Sequence, residues 1–276
     1  MKALLAEVWS RRALVASLWR SDVLGRYANS AAGFIWAILA PLALIVVYTA
    51  IFSALLGARV PGGAGGPARP LGSPIPNGIG FGFFVFAGML PWMIVQQTAQ
   101  NAPGSLLNHG ATLRRFAIPP SVVPAAVVLS AVTDAAIAGA LFVVVLAATG
   151  RLAPVRLLAL APAVALLAMM ALGLGLAASA LNLYGRDVAH AVAALLPFWF
   201  FATPVCYPSE ALPLSLQWAL ALNPMDGFLQ TARWAMVGGA LPSVLAVVWS
   251  AAAAVGALAL GAWIFQETRG DFADLL

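Results

Sequence analysis

Long runs without one charged side chain constrain this chain more than any other feature. Asp, Glu, Lys and Arg are all absent from Tyr27 to Ala58, from Pro70 to Leu113, from Leu157 to Gly185 and from Trp234 to Gln266. A charge at the centre of a bilayer costs about 2.5–3.5 kcal/mol on insertion scales. The surface helices of a water-soluble fold need charge. With 63% hydrophobic and 8% charged residues, this chain has little to give them. A globular bundle built from it would show a largely apolar exterior. The bilayer is therefore its solvent.

A span takes about 20 apolar residues. Six segments qualify, at about 33–56, 79–100, 122–147, 157–181, 189–206 and 242–265. With their connections they use up the 276 residues. The expected fold class is all-α: a polytopic membrane protein with six transmembrane helices. The N-terminal segment does not read as a signal peptide, because Glu7, Arg11, Arg12 and Arg20 interrupt any apolar core. Lys2, Arg11, Arg12, Arg20 and Arg26 precede the first span, whereas its outer loop holds only Arg59 and Arg69. That asymmetry predicts both termini inside. Arg114, Arg115, Arg186 and Arg269 then also fall inside, and Arg151, Arg156 and Arg233 outside.

Residues 1–26 are expected to form one interfacial helix on the inner surface. Leu4, Val8, Val15 and Trp19 fall near one face, although Arg12 interrupts it. Between the first two spans, residues 57–80 contain thirteen Gly or Pro and are expected to hold neither helix nor strand for long. The connection 101–121 gathers Asn101, Asn108, His109, Arg114 and Arg115 ahead of Pro119, Pro120 and Pro124. A short cytoplasmic helix is expected over 104–116, or else an ordinary polar loop. Segments 214–222 and 225–237 are too short to span. They read as re-entrant or interfacial helices between spans five and six, with Asn223-Pro224 as the turn between them.

Most chemistry is excluded. A phosphate-binding loop needs a lysine to reach the terminal phosphates, and the only lysine is Lys2. His109 and His190 stand far apart, so no metal site is expected. The single cysteine, Cys206, excludes an intrachain disulfide and reads as an apolar filler. The net charge of +5 fits anionic lipid headgroups, and no basic cluster interleaved with aromatics points to nucleic acid. Asp134 is the one acid well inside a span, beside Thr133 and Ser130. It is either an interhelical hydrogen-bonding partner or a relay group. An ion-coupled carrier or membrane-embedded enzyme would need several such groups.

Aromatics cluster on two spans. Phe34, Trp36, Tyr48 and Phe52 lie on the first, and Phe198, Trp199, Phe200 and Phe201 run together on the fifth. Flat aromatic faces pack against the apolar faces of sugar rings, which still need polar partners at their edges. Packing against lipid is the other reading.

Several segments, in this order, resemble the ABC type-2 family of membrane permeases, in its polysaccharide and teichoic-acid exporter branch. The block Asp22-Val23-Leu24-Gly25-Arg26-Tyr27 continues through Ser30, Gly33, Trp36-Ala37, Leu39 and Pro41-Leu42. Leu113-Arg114-Arg115 follows with Pro119 and Pro124, then Leu181-Asn182-Leu183-Tyr184-Gly185-Arg186-Asp187-Val188. Trp199, Thr203-Pro204-Val205, Tyr207-Pro208, Asn223-Pro224 and Phe272-Ala273-Asp274 complete the series. Arg269 stands where the family often has an acid, and Gly25 and Ala28 replace positions that are often basic. Both departures weaken any charge pairing expected at the inner face.

The resemblance implies a six-span transmembrane domain over 27–276, behind the N-terminal helix. It implies a homodimer in a bacterial cytoplasmic (inner) membrane that binds two copies of a separate ABC ATPase. ATP and Mg would sit on that partner, so this chain would be a non-catalytic transport subunit. The cargo implied is a polyprenyl-linked glycan of O-antigen, capsule or teichoic-acid type. A drug or simple lipid is the alternative. Asn108, Arg114, Arg115, Arg186 and Asp187 are the implied ATPase contacts. Asp22, Arg26 and Tyr27 would form the lipid-side entrance. Trp36, Tyr48, Phe52, Trp199 and Phe200 would line the substrate path.

Overall fold

In hydrocarbon every backbone N–H and C=O must find its partner within the segment, so apolar runs of this length fold as helices. The computed structural model describes residues 2–28, 39, 43, 46–47, 59–60, 69–70, 81–116, 118–209 and 212–275. Among these, regular structure is helical apart from a two-residue antiparallel pairing of Arg59–Val60 with Arg69–Pro70. The N-terminal helices are α1 (Lys2–Ser10) and α2 (Arg12–Ala28). Then come α3 (Phe81–Phe116), α4 (Val122–Ala148), a helical turn at Pro154–Leu157, and α5 (Leu160–Tyr184). They are followed by α6 (Asp187–Ala202), α7 (Leu214–Ala221), α8 (Asp226–Val237) and α9 (Val244–Thr268). Short turns at Arg269–Asp271 and Phe272–Leu275 close the chain.

Among the described residues, three stretches are long and apolar enough to cross a membrane: Val122–Ala148, Pro154–Tyr184 and Val244–Asp271. Asp187–Ala202 is a shorter apolar helix. The segment expected at 33–56 lies outside the described residues except for positions 39, 43, 46 and 47, which are helical.

Two expectations need correction. Residues 2–28 form two helices, joined at Arg11, instead of one. The segment 104–116 is not a separate helix either. It continues the helix that covers the segment expected at 79–100, in a single 36-residue helix that carries Pro91 and Pro103 inside. Each proline removes one backbone hydrogen bond, which a helix held by neighbours tolerates. At 1.5 Å per residue α3 is about 54 Å long, well beyond the roughly 30 Å of hydrocarbon.

Small residues let the helices touch backbone to backbone. A Cβ added to Gly173 on α5 would overlap the Ala257 carbonyl on α9, and one on Gly261 would overlap the Gly173 carbonyl. One on Gly227 of α8 would likewise overlap the Ala246 carbonyl of α9. The core is layered along these contacts. Trp92, Leu167, Met170, Met225 and Leu229 fill the middle. Leu106, Leu176, Leu258 and Phe265 fill the end where α3 stops, with Leu4 and Phe272 joining them. Phe86, Phe142, Leu146 and Met236 fill the opposite end. Val15 of α2, with Leu18 and Trp19 beside it, packs on Val122, Ala125 and Ala126 of α4.

Candidate functional site

The candidate site lies between α3 and α6. On α3, Met89, Trp92, Gln96 and Gln100 follow one another at three- and four-residue steps, so they share one face. On α6, Leu196 is the buried residue, while Phe198 and Phe201 are 74% and 70% exposed. The two faces enclose a cavity of about 310 Å³, lined by Trp92, Gln96, Gln100, Pro197, Phe200 and Phe201 among others. Trp92 is its fixed floor. It is 1% exposed and meets Trp199 edge-on at 5.6 Å and Phe200 at 5.4 Å between ring centroids. Phe200 in turn meets Phe201 at 5.4 Å.

The turn that follows α6 is fastened from two sides. Asn223 Nδ2 donates to the Ala202 carbonyl at 2.9 Å and to Thr203 Oγ1 at 2.8 Å, and its Oδ1 accepts the Met225 N–H at 2.9 Å. Arg233 of α8 donates through Nη2 to the carbonyls of Pro204 at 2.6 Å and Val205 at 2.9 Å. Its Nε reaches the Phe84 carbonyl of α3 at 3.4 Å, and its guanidinium lies 3.8 Å from the centre of the Phe84 ring. Arg233 therefore ties the turn after α6 to α3. Cys206, next to this turn, is buried in the middle layer of the core.

Aromatic rings beside amides make a surface suited to neutral polyhydroxylated rings, with stacking on the faces and hydrogen bonds at the edges. Of the expected path residues, Trp199 and Phe200 are brought together here. Trp36, Tyr48 and Phe52 lie outside the described residues. Trp92, Gln96 and Gln100 were not expected. Two amides at four-residue steps from a tryptophan, inside an otherwise apolar run, were the signal for them.

The inner-face candidates share one end of the bundle, set by the antiparallel order of α3, α4, α5 and α6. Asn108, Arg114 and Arg115 lie exposed on the last turns of α3, with the Arg115 guanidinium 5.4 Å from the Phe116 ring. Arg186 and Asp187 lie exposed at the corner between α5 and α6. Buried Asn182 holds that corner by accepting the Ala189 N–H at 3.0 Å. Tyr184 donates to the Asp271 carboxylate at the same end. Asp22 is exposed on α2, and Arg26 and Tyr27 occupy the last turn of that helix.

The weakened charge pairing expected from Arg269 is also corrected. Its Nη2 donates to Glu7 Oε1 at 2.7 Å and its Nη1 to Glu7 Oε2 at 3.2 Å. An acid on α1 takes the role that a neighbour in sequence could not.

The described residues thus form a helical bundle with membrane-crossing helices and a cleft lined by aromatic rings and amides. Residues 13–237 match the family model described as ABC-2 type transporter. The chain belongs to the ABC-2 type transporter family. It is 28% identical to the O-antigen export system permease protein RfbA of Myxococcus xanthus, over 99% of both chains. It is 22% identical to the protein of the same name in Klebsiella pneumoniae, over 95% of both chains.

Proposed function

We propose that this chain is the membrane subunit of an ATP-driven exporter that moves a polyprenyl-linked polysaccharide across the cytoplasmic membrane. Six spans, both termini inside, a homodimer and a separate ATPase in two copies complete the reading. Relatives named for O-antigen export align with it end to end. The observation that carries the reading is the cleft in which Trp92 and Phe200 present rings beside the amides of Gln96 and Gln100. Such a lining suits sugars better than an alkyl cargo. The exposed faces of α6 suit a second copy of the chain, which would turn the cleft into a path between protomers.

ATP binding on the partner would push on the end of α3 through Asn108, Arg114 and Arg115, and on the corner at Arg186 and Asp187. Because α3 is one helix from this end to Trp92, the push would be carried along it to the cleft. The lipid carrier would enter beside Asp22, Arg26 and Tyr27.

A strain carrying Gln96→Leu together with Phe200→Leu is the test. Lipid-linked glycan should accumulate inside the cell while the protein stays in the membrane. Surface glycan at the unaltered level would overturn the reading and favour export of a drug or simple lipid, which needs no such lining.

A further inference from the structure

We propose that a groove between α4, α5 and α8 holds one anionic phospholipid from the leaflet at the end of the bundle opposite Arg114 and Arg186. Its acyl chain would occupy an apolar cavity and its phosphate would lie between Arg151 and Arg156. The proposal rests on the membrane setting and not on the identity of the cargo.

Two cavities meet there. The first, about 270 Å³, is walled by hydrocarbon, with Leu90, Ala136, Ala140, Leu160 and Val164 among its lining. The second, about 420 Å³, is polar and is lined by Thr149, Gly150, Arg151 and Arg156. Met236 lines both, so one opens beside the other. The small side chains of Ala136, Gly139 and Ala140 make the apolar wall concave.

The dimensions fit one lipid leaflet. On α4 the apolar lining runs from Val132 to Val143, about 16 Å at 1.5 Å per residue. Half of a hydrocarbon core is about 15 Å. The arginines stand in the connection after α4, where a headgroup of that leaflet belongs. A cavity in a bilayer takes a chain as its filler, since lipid tails are as apolar as its walls. The walls therefore do not choose among lipids, and the headgroup contacts must.

Both arginines are fixed by rings. The Arg156 guanidinium lies 5.8 Å from the Trp234 ring centre, and that of Arg151 lies 5.9 Å from the Phe83 ring centre. A side chain at Gly238 would meet Arg156 Nη1 at 2.9 Å, so glycine there leaves room for the guanidinium. Guanidinium groups bind phosphate oxygens in pairs, and basic pockets between helices select anionic headgroups.

The test is native mass spectrometry of the purified full chain, equilibrated with equal amounts of phosphatidylglycerol and phosphatidylcholine. The unaltered protein should retain one phosphatidylglycerol per protomer, preferred by at least about tenfold, the scale set by two arginines near an anionic headgroup. Arg151→Gln with Arg156→Gln should bring the two lipids to parity. Ala136→Phe with Ala140→Phe should abolish retention while the arginines remain. Equal retention by the unaltered protein would overturn the proposal. So would an undiminished preference in the glutamine variant, or retention that survives the filled cavity. Helix content by circular dichroism identifies a variant that fails to fold, and the other variant then decides. Lipid retention is read without transport, so this result is independent of the glycan test.

Discussion

Trp19 donates its indole N–H to Thr133 Oγ1 at 2.9 Å, across an offset of 114 residues. Ser121 Oγ donates to Glu7 Oε2 at 2.8 Å across the same offset. α2 therefore runs alongside the start of α4, while Glu7 of α1 stands at the foot of α4, where it also meets Arg269 after α9.

A double-mutant cycle tests the upper contact. Trp19→Phe and Thr133→Val each remove one partner. Hydrogen bonds between membrane helices average about 0.6 kcal/mol, so a coupling of that size is expected from unfolding in mixed detergent micelles. Additive losses would show that the two side chains do not support each other.

Glu7 binds both Ser121 and Arg269. Its replacement by Ala should loosen α1 and α2 as a unit. A partly exposed pair of this kind is worth about 1 kcal/mol or less, so the fold should survive. Faster amide exchange throughout 2–28, with α5 unchanged, is the expected reading. A compensating exchange of charges, Glu7→Arg with Arg269→Glu, should restore part of the protection.

Gly173 and Gly261 allow α5 and α9 to cross at backbone contact. Overpacking a filled core usually costs about 1–3 kcal/mol, and here the obstacle is backbone that cannot turn aside. Gly261→Leu should therefore lower the melting temperature in detergent more than Gly256→Leu, since a side chain at Gly256 meets nothing within 4 Å. Equal effects at the two positions would contradict the crossing.

Arg233→Met would strand the carbonyls of Pro204 and Val205 in a water-poor setting, at about 1–3 kcal/mol for each buried group left unpaired. Arg233→Lys should recover only part of that loss, because an ammonium lacks the planar fork. The emission of Trp92 and Trp199 should shift with the loosened cleft. An unchanged spectrum in the methionine variant would show that the cleft does not depend on this arginine.

The local elements were largely legible. The apolar runs at 122–147 and 157–181 became α4 and α5, and Asn223-Pro224 became the turn before α8, because these depend on hydropathy and on proline. The joint at Arg11 and the unbroken α3 were not legible. Arg11 is not itself a helix breaker, and the polar residues from Asn101 read as a connection although those up to Phe116 continue α3. The site was half legible. Trp199 and Phe200 stood out as a run, whereas Trp92 acquired meaning only when α6 was laid against it.

By itself the sequence determined the solvent. Side chains without charge over such lengths are at home only in lipid, and in lipid an apolar run of about 20 residues satisfies its own backbone as a helix. Tertiary structure alone decided the partners. Glu7 with Arg269, Arg233 with the turn at Pro204, and Gly173 with Gly261 are contacts between distant parts of the chain. The reason is physical. Hydropathy acts on each segment separately, whereas a hydrogen bond or a backbone crossing exists only once two helices have taken up one register against each other.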